Sequence, residues 1–261
     1  MSSSSDPGSP QSSANILVVH GHGQSGQFIS CKTQFLQEPL TKAIQESLHN
    51  NPAQQQVDTI NFYHPTALFP ANPDHPHPET NTSWAWACGG PEKDQASGYV
   101  ETIRYLLGVV EEYGPFIGIV GFSTGAAIAA AITSILEKRE SLDGVPFEIT
   151  HPPLQFAVCF SGFRLEDEFY DCIYSPKIRT PVLHVMGNLD MMVEPARTKR
   201  LALSCANSSV YAFSGSHYIP RSDEFVRVLS EFVEKAVSGR MRCDSESEDG
   251  HDDGEDEWED V

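Results

Sequence analysis

The chain has no apolar run approaching eighteen residues, so its sequence predicts no membrane-crossing helix. Cations are scarce: 17 Lys and Arg stand against 36 Asp and Glu. That balance argues against a nucleic-acid-binding surface. The six cysteines, at 31, 88, 159, 172, 205 and 243, include no C-x-x-C pair. Their scatter excludes a zinc ribbon or disulfide frame and reads as reduced thiols in a cytoplasmic protein. No apolar segment follows the first methionine, so no signal peptide is expected. His75 and His77 form an H-P-H-P stretch without an acidic or cysteine cluster, and no metal is assigned to them.

Negative charge is present in excess, and it is uneven. The formal net charge is −19, and residues 244–261 carry eleven acidic residues with no Lys or Arg. Without those eleven the charge of the rest is −8. Such a run repels itself and buries nothing, so residues 240–261 are expected to be a disordered acidic tail. It reads as a solubilising end, the alternative being a contact for a basic partner. Ser- and Pro-rich residues 1–14 are expected to be disordered too.

Between these ends, residues 15–239 read as one domain in which strands alternate with helices. Ile16-Leu17-Val18-Val19 is wholly apolar, as in a strand buried on both faces. Helical text follows from Phe28 to Leu48, with Pro39 where a kink would fall. Further strands are expected at Val57–Phe62, Phe116–Val120, Phe156–Phe160, Pro181–Met186 and Ser209–Phe213. Val100, Ile103, Leu106, Leu107 and Val110 mark one face of a helix, and Ser222 opens a last helix closed by Gly239. Residues 63–95, rich in Pro, Asn and His, are too long for a plain connection and read as a lid-like insertion. The alternation predicts an α/β fold, a mostly parallel sheet with helices on both faces. Its active site lies at the carboxyl ends of the strands.

The most informative feature is Gly121-Phe122-Ser123-Thr124-Gly125, placed between a strand and an alanine-rich helix. A G-x-S-x-G turn in that setting lifts its serine clear of the sheet. A serine hydroxyl is a weak nucleophile and needs a base oriented by an acid. On this kind of sheet the order along the chain is nucleophile, acid, base. Asp190 follows the strand ending at Met186, and His217 follows the strand ending at Phe213. Ser123, Asp190 and His217 are therefore the candidate triad. Asp167, Asp171 and Glu194 are the rival acids, and His184 and His151 fit the base less well. Two backbone donors are needed for the oxyanion. Thr124 supplies one by position, and the glycine-rich loop after the first strand supplies the other, from His22 with Gly23 as alternative.

That loop also spells G-x-G-x-x-G through Gly21, Gly23 and Gly26, the pattern of a dinucleotide-binding turn. The ribose-binding acid it requires is missing from the end of the second strand; Asp58 lies near that strand's start. This reading leaves Ser123, Asp190 and His217 unexplained. A further alternative is a hydrolase fold kept as a non-catalytic scaffold, against which the intact triad speaks.

Four segments carry a resemblance over residues 15–237: ILVVHGHGQSG, GIVGFSTGAAIAA, PVLHVMGNLDMMV and GSHYIP. The chain resembles the fungal family of small serine hydrolases in the α/β-hydrolase superfamily. That family includes the yeast family of serine hydrolases, a human ovarian-cancer-associated relative and the thioesterase that releases the lovastatin polyketide. The resemblance implies Ser123 as nucleophile, Asp190 as acid, His217 as base and no cofactor. It departs at Thr124, where many members carry Gln. It implies a small-molecule ester or acyl thioester as substrate, including an acyl chain borne on a carrier domain of a synthase. SWAWACGG lies where the family has a tryptophan-containing segment beside the site. Trp84 and Trp86 are therefore candidate substrate-binding residues for an apolar acyl group, or else packing residues of the insertion.

Overall fold

The computed structural model describes residues 12–50, 56–72, 74, 82–87, 95–137, 141–142, 145–146 and 149–241. The expectations for residues 1–11, for His75 and His77, and for residues 242–261 lie outside the described residues.

The chain runs β1 (Ser13–Val19), α1 (Gly26–His49), β2 (Thr59–Tyr63), β3 (Phe69–Pro70), β4 (Trp84–Ala85), α2 (Gln95–Tyr113) and β5 (Phe116–Phe122). It continues through α3 (Thr124–Leu136), β6 (Ser141–Leu142), β7 (Val145–Pro146), β8 (Phe156–Phe160), α4 (Asp171–Tyr174) and β9 (Val182–Gly187). It ends with α5 (Pro195–Leu203), β10 (Ser208–Phe213) and α6 (Asp223–Val237). Six strands form one sheet in the order β10-β9-β8-β5-β1-β2, with every pairing parallel. β3 and β4 make a separate antiparallel pair, as do β6 and β7.

A parallel sheet must be covered on both faces, and the strand sequences show it. In β1, Ala14, Ile16 and Val18 join one core with α1 and α6. Leu17 and Val19 join the other, built on α2, α3, α4 and α5. The alanines of α3 are nearly all inaccessible to solvent, which lets that helix lie close against the sheet.

Three sequence expectations shift. β1 begins at Ser13, inside the stretch expected to be disordered, because Ser13 and Ala14 pair with Thr59 and Ile60. The second strand starts at Thr59 rather than Val57, since Asp58 turns back to accept the Ser12 amide at 3.1 Å. Helix α1 runs unbroken through Pro39. Helix α5, opened by Pro195 at its first position, has no counterpart in the sequence reading.

From β1 the chain crosses to β2 on one side, and the remaining sheet strands are added on the other. The loops after β1 and β5 therefore diverge at a switch point, where crevices form at the carboxyl edge. At the opposite edge, Ser12 bonds Asp58, and Ser47 near the end of α1 donates to the Glu234 carbonyl of α6 at 2.9 Å. Both described ends of the chain lie at that amino edge.

Candidate active site

Strand β5 is buried throughout and leads straight into Ser123. Ser123 has φ 57° and ψ −121°, a backbone conformation that costs energy for any residue but glycine. The surroundings enforce it. The Ser123 amide donates to the Phe160 carbonyl at 2.8 Å, and its carbonyl accepts the Ala126 and Ala127 amides. A Cβ on Gly121 would lie 2.4 Å from the Gly125 oxygen, and one on Gly125 would lie 2.3 Å from the His20 oxygen. Both positions therefore exclude a side chain. The Ser123 hydroxyl makes no capping bond to α3.

Asp190 follows β9. Its Oδ1 accepts the Met192 and Val193 amides, each at 2.9 Å, and its Oδ2 takes His217 Nδ1 at 2.7 Å. The Asp190 side chain is 1% exposed and that of His217 17%. Burial pushes the carboxyl pKa up. The bonds from the Val193 amide, His217 and the Ser161 hydroxyl outweigh it and hold the group below its ordinary value. An ionised carboxylate only accepts hydrogen bonds, so Nδ1 carries the proton and Nε2 presents its lone pair.

Two of the rival acids are occupied elsewhere: Asp167 caps a short 3-10 turn through the Phe169 amide, and Asp171 pairs with Arg164 at 2.9 Å. Glu194 stands at the start of α5 and makes no capping bond to it. His151 accepts the Phe116 amide at 2.8 Å. His184 is buried inside β9, and neither ring nitrogen has a hydrogen-bond partner among the described residues.

In the loop after β1, the Gly21 amide donates to Gln24 Oε1 at 3.0 Å and the Gly23 amide to the Trp84 carbonyl at 2.9 Å. The Gln24 amide bonds the Gly21 carbonyl at 3.3 Å. Gly23, the alternative donor, is thus already engaged. The start of α1 is closed by the chain itself: the Gly26 amide donates to Thr66 Oγ1, and a Cβ there would lie 2.0 Å from the His64 oxygen. The Gly26 amide, which that turn would offer to a pyrophosphate, is therefore already engaged. Asp58 lies at the amino edge of the sheet, away from the loop.

One expectation for the insertion is corrected. Trp86 is completely buried and offers no face to a substrate. Its Nε1 donates to the His20 carbonyl at 2.7 Å, and its ring lies 4.6 Å from that of His20. Trp84 is half-buried and pairs through its backbone with Gln24. The described part of the segment is packed against the loop after β1.

Sequence reasoning missed two residues. Phe122 packs its ring on His217, although the position before the serine carries no pattern. Ser161, just past β8, is buried with φ 48° and reaches the Asp190 carboxylate. No signal in the sequence marks it. Among the described residues no three His, Cys, Asp or Glu side chains gather to hold a metal, and no helix is long and apolar enough to cross a membrane.

Comparison with known proteins gives the family and the fold. Family of serine hydrolases 2 of Saccharomyces cerevisiae is 34% identical over 228 residues, covering 85% of this chain and 98% of the yeast protein. Esterase OVCA2 of Xenopus tropicalis is 26% identical over 253 residues, covering 91% of this chain and all of the frog protein. In fold the chain is similar to Zea mays acyl-protein thioesterase 2, with a TM-score of 0.55 at 20% identity over 85% of this chain and 95% of the maize one. The fold is that of the α/β hydrolases. Residues 10–229 match the family model described as Serine hydrolase (FSH1), and the chain belongs to that family of enzymes.

Proposed function

We propose that the protein hydrolyses carboxylic esters or thioesters through Ser123, His217 and Asp190. The observation that carries this reading is that a strained, uncapped serine and a carboxylate-held imidazole both follow strands at the carboxyl edge of one parallel sheet. His217 Nε2 takes the proton from Ser123 as the oxygen attacks the carbonyl carbon. The amides of Thr124 and His22 hold the resulting oxyanion, and the amino end of α3 adds its dipole there. Asp190 fixes the imidazole tautomer and stabilises the imidazolium. Collapse expels the alcohol or thiol with the proton from His217. Water, activated by the same base, then releases the carboxylic acid.

The substrate side is an apolar acyl group. Leu189, Met191 and Met192 flank Asp190 and Tyr218 follows His217, all four with large exposed apolar surface. Release of a polyketide from a carrier is one thioester case of this chemistry.

A fluorophosphonate probe with peptide mapping tests the reading. Labelling at Ser123 that disappears in Ser123→Ala, together with loss of p-nitrophenyl ester turnover, is the expected result. A folded wild-type protein that stays unlabelled would sink the proposal in favour of a non-catalytic scaffold. Acyl thioesters of graded length then separate the ester and thioester cases.

A further inference from the structure

The segment around β4 is built as a brace, and what it braces is a single backbone amide. Among the described residues, three of the four loop amides from Gly21 to Gln24 have an acceptor within the protein, and His22 is the one that does not. Two backbone bonds lock the loop to β4: Gly23 to Trp84 at 2.9 Å and Trp84 back to Gln24 at 3.0 Å. The Ser83 hydroxyl adds a third contact, to the Gly23 carbonyl at 3.2 Å. All three bonds fall at Gly23 and Gln24, the two residues that follow His22 along the chain.

The root of the loop is fixed as firmly. His20 is wholly buried. Its Nδ1 lies 2.7 Å from the Gly21 oxygen, and its Nε2 accepts the Ala67 amide at 3.0 Å. Those two bonds require a neutral ring with its proton on Nδ1. The His20 carbonyl takes the Trp86 indole N–H, and the same oxygen is the one that a Cβ on Gly125 would strike. Trp86 is in turn held through its own carbonyl by the Thr102 hydroxyl of α2. The indole bond therefore sets the spacing between the loop after β1 and the serine turn.

We infer that Trp86 is a positioning residue for the reaction: through its Nε1 bond to His20, with β4 pinning Gly23, it aims the His22 amide at the developing oxyanion. This rests on the proposed use of Ser123 as nucleophile. The segment contributes to the transition state and not to capture of the acyl chain. An oxyanion donor acts only once charge has formed on the carbonyl oxygen, so its misplacement lowers kcat and leaves KM in place.

Trp86→Phe tests this, because it keeps a ring against His20 and deletes the N–H. Turnover of p-nitrophenyl butyrate is measured per serine titrated with fluorophosphonate, so that unfolded protein does not count. The expected result is a drop in kcat of about tenfold, with KM held within about twofold. Affinity for a trifluoromethyl ketone, which forms a tetrahedral adduct on the serine, falls by the same factor as kcat. Ser83→Ala, at a half-buried position, shows the same split at smaller size and serves if Trp86→Phe does not fold. Wild-type kcat and ketone affinity in the folded variant overturn the inference, as does a rise in KM alone. Failure of the underlying reading looks different, since the wild-type serine would then not label at all.

Discussion

The ring of Phe122 lies 4.8 Å from the imidazole of His217, tilted by 43°. The residue before the proposed nucleophile thus forms one wall for the proposed base. Asp190 fixes the Nδ1 end of that imidazole, and Phe122 limits its tilt. Phe122→Leu keeps an apolar contact but loses the flat surface. It is expected to lower kcat about fivefold while costing less than about 1.5 kcal/mol of stability. Steady-state kinetics paired with urea unfolding check this; unchanged kcat would remove Phe122 from the base's support.

Gly125 meets the backbone before β1's loop. An added Cβ would lie 2.3 Å from the His20 oxygen and 2.4 Å from that of Val19. Backbone cannot swing aside as a side-chain tip can, so the serine turn and the loop after β1 must separate. Gly125→Ala should cost about 1–3 kcal/mol and lower kcat at least about tenfold. Denaturant unfolding and ester turnover measure the two effects.

Ser161 separates backbone strain from side-chain chemistry. Its φ of 48° favours glycine, while its hydroxyl supports the Asp190 carboxylate. Ser161→Gly and Ser161→Ala both delete the hydroxyl, and the first alone relieves the backbone. The glycine variant is expected to be more stable than the alanine variant by about 1 kcal/mol. Both should lose kcat by the same factor. A loss of activity that instead tracks stability would assign Ser161 a folding role only.

Two buried histidines make stability depend on pH. Burial pushes both His20 and His184 from 6.5 down to about 4. The unfolded chain binds these protons first, so stability is full above pH 6.5 and falls as pH drops toward 4, by roughly 3 kcal/mol for each group. Asp190, held below 3.8, adds its own loss only at still lower pH. His184→Leu removes a buried ring with no partner among the described residues. It should raise stability at pH 7 by about 1–3 kcal/mol and flatten the slope between pH 4 and 6.5 by up to one proton. Urea midpoints at intervals across that range give both numbers.

What was legible in the sequence was what short-range pattern decides. β1, β5 and β8 are apolar on both faces, and such runs have few other uses. The serine turn was legible because its glycines answer a steric demand that only glycine meets. Asp190 and His217 followed from the strand before each. Trp86 was not legible in the same way, because a tryptophan in a long connection looks alike whether it faces solvent, substrate or core. Only the Ala67, Trp84 and Trp86 contacts to the loop after β1 decide which. Ser161 was wholly hidden: its backbone angle is imposed by neighbouring strands, and a serine after a strand is ordinary text. Helix α5 escaped notice because nine residues, four of them polar and consecutive, give too short a period to detect.

The arrangement of the sheet's two edges has a practical corollary. Ser12 and the end of α6 lie at one pole of the molecule, while Ser123, Asp190 and His217 lie at the other. A partner domain, an affinity handle or a solid support joined next to Ser12 or to the end of α6 is therefore anchored on the blind side. The protein can be tethered from behind, and the face that carries Ser123, Asp190 and His217 stays turned outward.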